Sequence, residues 1–156
     1  MLRIFVSVIF SLQDCLSYDT TEYTSTQNTN ISLPSDNFEI SADILSNKWD
    51  GYPQIYFGTE LNVNNVAFGH IVSHDSIIYH GAEFKKNNSR LTMLETSSSK
   101  STNTWYPVTL QKQGSNYSII CGNETLTYSN NTITIEKLFL IYIPNGKVKN
   151  LKIKAL

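Results

Sequence analysis

From Phe38 onward the chain alternates. Phe38, Ile40, Ala42 and Ile44 are apolar, and Glu39, Ser41 and Asp43 between them are polar. This period-two pattern belongs to a strand with one face buried and one in water. Similar short runs recur at residues 54–57, 66–72, 76–80, 90–94, 105–112, 116–121, 125–128, 132–135, 138–143 and 148–156. Turn-forming groups separate them: Trp49-Asp50-Gly51-Tyr52-Pro53, Gln113-Gly114-Ser115, Gly122-Asn123-Glu124 and Pro144-Asn145-Gly146. No stretch after the N-terminus carries helical apolar spacing. About ten to twelve short strands in one domain of this length predict an all-β fold, a two-sheet antiparallel sandwich.

Two strands carry more detail. Residues 138–143 are unbroken apolar, which predicts cover on both faces. In the last run Lys152 and Lys154 oppose Leu151 and Ile153, but Val148 falls on the lysine parity, so a bulge near Asn150 is expected. The lysines read either as a basic binding patch or as protection of a sheet edge, and the edge reading is preferred.

Residues 18–36 are polar and Thr-rich, expected to be an irregular lead-in with a short strand at 31–33, and residues 37–156 form the sandwich. Residues 1–17 read two ways. Arg3, the apolar stretch 4–10 and the small residues Cys15 and Ser17 suit a cleaved secretory signal; alternatively 4–12 is the first strand. Cys15 and Cys121 either pair, closing a loop worth about 4 kcal/mol, or remain two thiols. Sequons at Asn30, Asn87, Asn116, Asn123 and Asn130 carry little weight, because a chain with 16 Asn, 18 Ser and 15 Thr produces several by chance.

Composition narrows function. Net charge is −1, with 12 basic and 13 acidic residues, which argues against a nucleic-acid partner. No apolar run reaches the roughly 18–20 residues of a membrane-spanning helix. Glu39 and Asp43 share a strand face but stand ~13 Å apart, too far for retaining glycosidase chemistry. His70 and His74 are equally distant for one metal ion, unless the Ser73-His74-Asp75 turn folds them together. No nucleophile elbow, phosphate loop or calcium loop is present. Neither a catalytic residue, nor a metal ligand, nor a cofactor is assigned.

What remains is aromatic, amide-rich surface. A pyranose stacks its C–H face on an aromatic ring while amides and carboxylates take its hydroxyls. Tyr56, Tyr79, Trp105 and Tyr106 are available, but Trp49, Asp50 and Tyr52 are the preferred ligand-binding residues because a turn places them at the surface.

Several segments carry a family resemblance. Phe38-Glu39-Ile40-Ser41-Ala42-Asp43-Ile44, then Ile55-Tyr56-Phe57-Gly58, then Trp105 to Gly114 with Tyr117-Ser118-Ile119, and the closing Val148 to Ile153, resemble concanavalin A-like lectin and glucanase domains. The likeness covers roughly residues 12–156, and the lead-in from Asp14-Cys15 resembles that of microbial and phage surface proteins. It implies a jelly roll and leans toward carbohydrate binding or adhesion. The Glu-x-Asp-x-x-Glu strand of the glucanase branch is missing, as are the legume-lectin metal residues. The expectation is a non-enzymatic glycan-binding or adhesion module outside the cell or on a virion. The alternatives are a spacer or assembly domain of an adhesin or phage fibre, forming homo-oligomers, and a divergent glycoside hydrolase.

Overall fold

A computed structural model describes residues 15–156. The two N-terminal readings of residues 1–14 fall outside the described residues. Twelve strands run in order: β1 (Cys15–Asp19), β2 (Gln27–Ser32), β3 (Asn37–Ser46), β4 (Gln54–Glu60), β5 (Asn64–His74), β6 (Ile77–Lys86), β7 (Ser89–Glu95), β8 (Tyr106–Gln113), β9 (Asn116–Cys121), β10 (Glu124–Ser129), β11 (Lys137–Tyr142) and β12 (Gly146–Ala155). Sheet A has the order β1-β12-β3-β8-β9-β10 and sheet B the order β2-β11-β4-β5-β6-β7. All pairings are antiparallel.

The apolar parity of each strand builds the core. Phe38, Ile40 and Ile44 from β3 meet Ile55 and Phe57 from β4, Val66 and Phe68 from β5, and Phe84 from β6, all fully buried. Aromatic edges lock the two sheets together: Phe38 meets Phe57 at 5.5 Å and 89°, and Phe84 meets Tyr117 at 5.0 Å and 77°. The expected bulge in β12 is present. Pairing with β3 shifts between Lys149 and Lys152, Asn150 takes φ 55°, and Val148, Leu151 and Ile153 all reach the core.

Four expectations change. Residues 132–135 alternate but are not a strand: both backbone groups of Thr134 are taken by the Asn64 side-chain amide, and Ile133 and Ile135 are buried from an irregular segment. The Thr-rich lead-in contains β2, a sheet edge whose exposed polar face hid its pattern. β11 is covered on one face only: Leu138 and Ile141 are buried, but Phe139 and Leu140 are half-exposed at a bulge and Tyr142 is exposed. Finally, β12 lies between β1 and β3, so its lysines guard no edge.

Strand order also separates the cysteines. β1 and β9 are four strand spacings apart in sheet A, about 19 Å, where a disulfide allows at most ~7 Å between Cα atoms. Cys121 is a buried free thiol, and burial raises its pKa to about 11.

Candidate functional site

The β3–β4 loop holds Trp49, Asp50 and Tyr52, and the structure splits their roles. Trp49 is 46% exposed and Asp50 is exposed. Tyr52 is half-buried, takes φ 45°, and lies flat on the His70 imidazole at 4.5 Å and 24°. It props the loop from below.

His70 anchors the assembly. It sits on the inward parity of β5, fully buried. Its Nδ1 receives the Tyr52 N–H at 3.1 Å and faces the Ser46 hydroxyl at 2.8 Å. A backbone N–H can only donate, so Nδ1 is the acceptor and the ring proton resides on Nε2. Nε2 donates to Ser73 Oγ at 2.9 Å, and Ser73 in turn donates to the Trp49 carbonyl. Burial lowers the His70 pKa to about 4, with the Asp50 carboxylate pulling the other way. A neutral imidazole thus ties both sides of the loop to β5.

The β11–β12 turn closes the other side. Asn47 N–H donates to the Asn145 carbonyl at 3.1 Å, Asn145 N–H donates to Gly51 at 3.2 Å, and the two Asn side-chain amides meet at 3.1 Å. A Cβ on Gly51 would stand 2.3 Å from the Asn145 carbonyl oxygen, so the close approach requires glycine there.

Tyr142, at the end of β11, is a second exposed aromatic ring. It is 37% exposed and meets the Tyr56 ring edge-on at 6.3 Å; Tyr56 also meets Phe139 at 6.2 Å. Tyr56 donates to Gln54 Oε1 at 2.7 Å, and burial, then the charge of Glu83, raises its pKa to about 12. Glu83 is itself held by Arg90 at 2.7 Å and Lys85 at 3.2 Å. This face of sheet B runs from an exposed ring at the Trp49 end to an ion-paired cluster on β6 and β7.

Sequence reasoning chose the loop but missed its support. Nothing in sequence spacing tells that Ser46, His70, Ser73 and Asn145 converge beneath it. Tyr142 was legible only as one member of the apolar run 138–143. The other candidates have structural duties. Tyr106 packs its ring against His80 at 5.4 Å, and Trp105 lies under the Lys149 ammonium at 4.0 Å. Tyr79 contacts His74, which bonds Glu95 at 3.0 Å. Glu39 and Asp43 each hold a neighbouring amide, from Gln111 and Asn150.

A cleft of 380 Å³ opens at the opposite end of the sandwich, between Ser35, Asp36, Lys112, Asn130 and Ile133. Its cation is already engaged. Lys112 is 6% exposed and donates to the carbonyls of Gly114 at 2.5 Å, Ser35 at 2.6 Å and Asp36 at 3.4 Å. Burial lowers its pKa. With three donors placed on three carbonyls, the ammonium pins the β2–β3 connection to the β8–β9 turn and has none left for a ligand. Lys112→Met keeps the stem but strands the carbonyls, and should cost about 2–4 kcal/mol in urea unfolding. A loss below half a kcal/mol would mean that water replaces the ammonium freely.

The fold is that of the concanavalin A-like jelly rolls, two six-stranded antiparallel sheets face to face. Solved structures of this type align over most of the chain. A carbohydrate-binding module, CBM66, from Bacillus subtilis aligns with TM-score 0.68 at 12% identity, over 89% of this chain and 91% of that one. A toad ovary galectin in complex with thio-digalactose aligns with TM-score 0.58 at 11% identity, over 85% and 97%. A heptameric SAP-like pentraxin from Limulus polyphemus gives TM-score 0.58 at 14% identity, over 93% and 78%. No family model and no curated protein matches the sequence.

Proposed function

We propose that this chain is a carbohydrate-recognition module without hydrolytic chemistry, working outside the cell or on a cell or virion surface. The carrying observation is Trp49: a large apolar ring held 46% exposed on a loop locked from beneath by His70, Ser73 and Asn145. Keeping such a ring in water on a rigid support suits stacking against a sugar, because little ordering remains to oppose binding. Asn47 and Asp50 are exposed polar residues of the same loop, Asn145 bonds the Asn47 amide, and Tyr142 is a further exposed ring at the end of β11. The resemblance to a carbohydrate-binding module and a sugar-bound galectin supports the reading. Hydrolysis finds no support, since Glu83 is neutralised by Arg90 and Lys85 while Glu39 and Asp43 stand on the other sheet.

A glycan array on the purified chain tests this. Binding to at least one glycan class is expected, reduced tenfold or more by Trp49→Ala with the melting temperature unchanged. Silence across the array at high protein concentration would sink the proposal. An assembly role is the second reading, favoured by Leu16 and Tyr18, 47% and 59% exposed on the sheet A edge strand β1. Light scattering decides it: a monomer at all concentrations removes that reading.

A further inference from the structure

The lysines of β12 lose their edge-guarding explanation, because β12 is paired on both sides. Four of the chain's 12 basic residues, Lys147, Lys149, Lys152 and Lys154, stand on this one strand. With Val148, Leu151 and Ile153 turned into the core, all four point to the outer face of sheet A. The bulge at Asn150 is what keeps them in line: without it, one pair would point inward. The row runs about 20 Å along the strand.

None of these lysines forms an ion pair among the described residues. The three ion pairs among the described residues, His74–Glu95, Lys85–Glu83 and Arg90–Glu83, all lie on sheet B. On β3, Glu39 stands opposite Lys154 and Asp43 opposite Lys149, offsetting part of the charge, and their carboxylates also accept from the Gln111 and Asn150 amides. Lys149 lies over Trp105, Lys152 is exposed, and Lys147 and Lys154 are half-buried without a side-chain ion pair. Beside Lys152, on β1, Tyr18 presents a ring that is 59% exposed.

We propose that this face binds a linear anionic polysaccharide bearing sulfate or carboxylate groups. A single straight row of cations on an open sheet fits an extended chain with repeating charge, and Tyr18 supplies a surface for a sugar ring. The row is lysine throughout, a set of point charges that can follow repeated anionic groups without bidentate geometry. The site is separate from the Trp49 loop and stands or falls independently of it.

Heparin is the probe. The wild-type chain should be retained on heparin–agarose at ~0.01 M salt, where charges act over ~30 Å, and released as screening shortens that reach to ~8 Å near 0.15 M. Lys152→Gln/Lys154→Gln should weaken heparin affinity tenfold or more, with an unchanged melting temperature. Lys86→Gln/Lys137→Gln removes the same charge elsewhere and should change it less than twofold. Trp49→Ala should leave retention intact. Absence of wild-type retention, or equal loss in both double variants, overturns the proposal. Equal or tighter binding to double-stranded DNA or to anionic lipid vesicles overturns the assignment to a polysaccharide.

Discussion

Stability should fall steeply between pH 6.5 and 4, and His80→Phe should remove much of that fall. His70 and His80 are fully buried, and burial lowers their pKa values to about 4 and about 3. Lys100 and His70 add to the effect on His80. In the unfolded chain both titrate near 6.5. Because the folded values lie below the unfolded ones, the unfolded state takes up protons first on acidification. The stability contribution is complete above about pH 6.5 and is lost as the pH falls toward the folded values. For His70 alone the loss is on the order of 3 kcal/mol. His80 Nδ1 has no hydrogen-bond partner, and its ring stands edge-on to Tyr106 at 5.4 Å, so phenylalanine fits the site without stranding a donor. Urea unfolding at pH 7.5 and 4.5 measures both states. Glu124 does not confuse the comparison, because its pKa, held at about 2 by Ser98 and Ser97, acts only below about pH 4.5. Equal loss in wild type and His80→Phe would remove His80 as a cause.

Gly69→Ala should unfold or nearly unfold the protein, a loss of about 3 kcal/mol or more. Gly69 takes φ 129°, a conformation open to glycine and strained for alanine. An added Cβ would also stand 2.6 Å from the Pro53 carbonyl oxygen, and that oxygen receives the His70 N–H at 3.0 Å. Strain at Gly69 therefore spreads to His70 and the Trp49 loop, and glycan binding should fall with stability. Gly114→Ala is the control. Its φ of 59° is also positive, but nothing lies within 4 Å of the added carbon, so about 1 kcal/mol is expected. Similar losses at both positions would show that backbone conformation alone matters and the contact with Pro53 does not.

The sandwich was legible where a single strand declares its own faces. β3 alternates without interruption, and the parity break between Val148 and Leu151 located the β12 bulge, since a core strand cannot turn an apolar residue outward without a reason. Position within the sheet was not legible. A lysine row looks the same on an edge strand and on one flanked by β1 and β3, and only pairing over a hundred residues of separation distinguishes them. Residues 132–135 misled for a related reason: Ile133 and Ile135 alternate, yet the partner of Thr134 is an Asn64 side chain rather than another backbone. At the loop, turn chemistry announced Trp49 at the surface. Tyr52 went the other way because its fate depends on His70, 18 residues later in the chain.

Strand order also dictates the sequence of events during synthesis. β11 inserts between β2 and β4, and β12 between β1 and β3, so in each sheet one edge strand stays detached until the last two strands emerge. Until then β3 and β4 each present one unpaired backbone edge, and β1 and β2 have no strand to pair with. Contacts this distant in sequence make folding slow and leave the nascent chain open to aggregation. A chain stopped before Lys137 would hold β3-β8-β9-β10 and β4-β5-β6-β7, two four-stranded sheets each with an open edge where a last strand belongs, and β1 and β2 would have no strand to dock on.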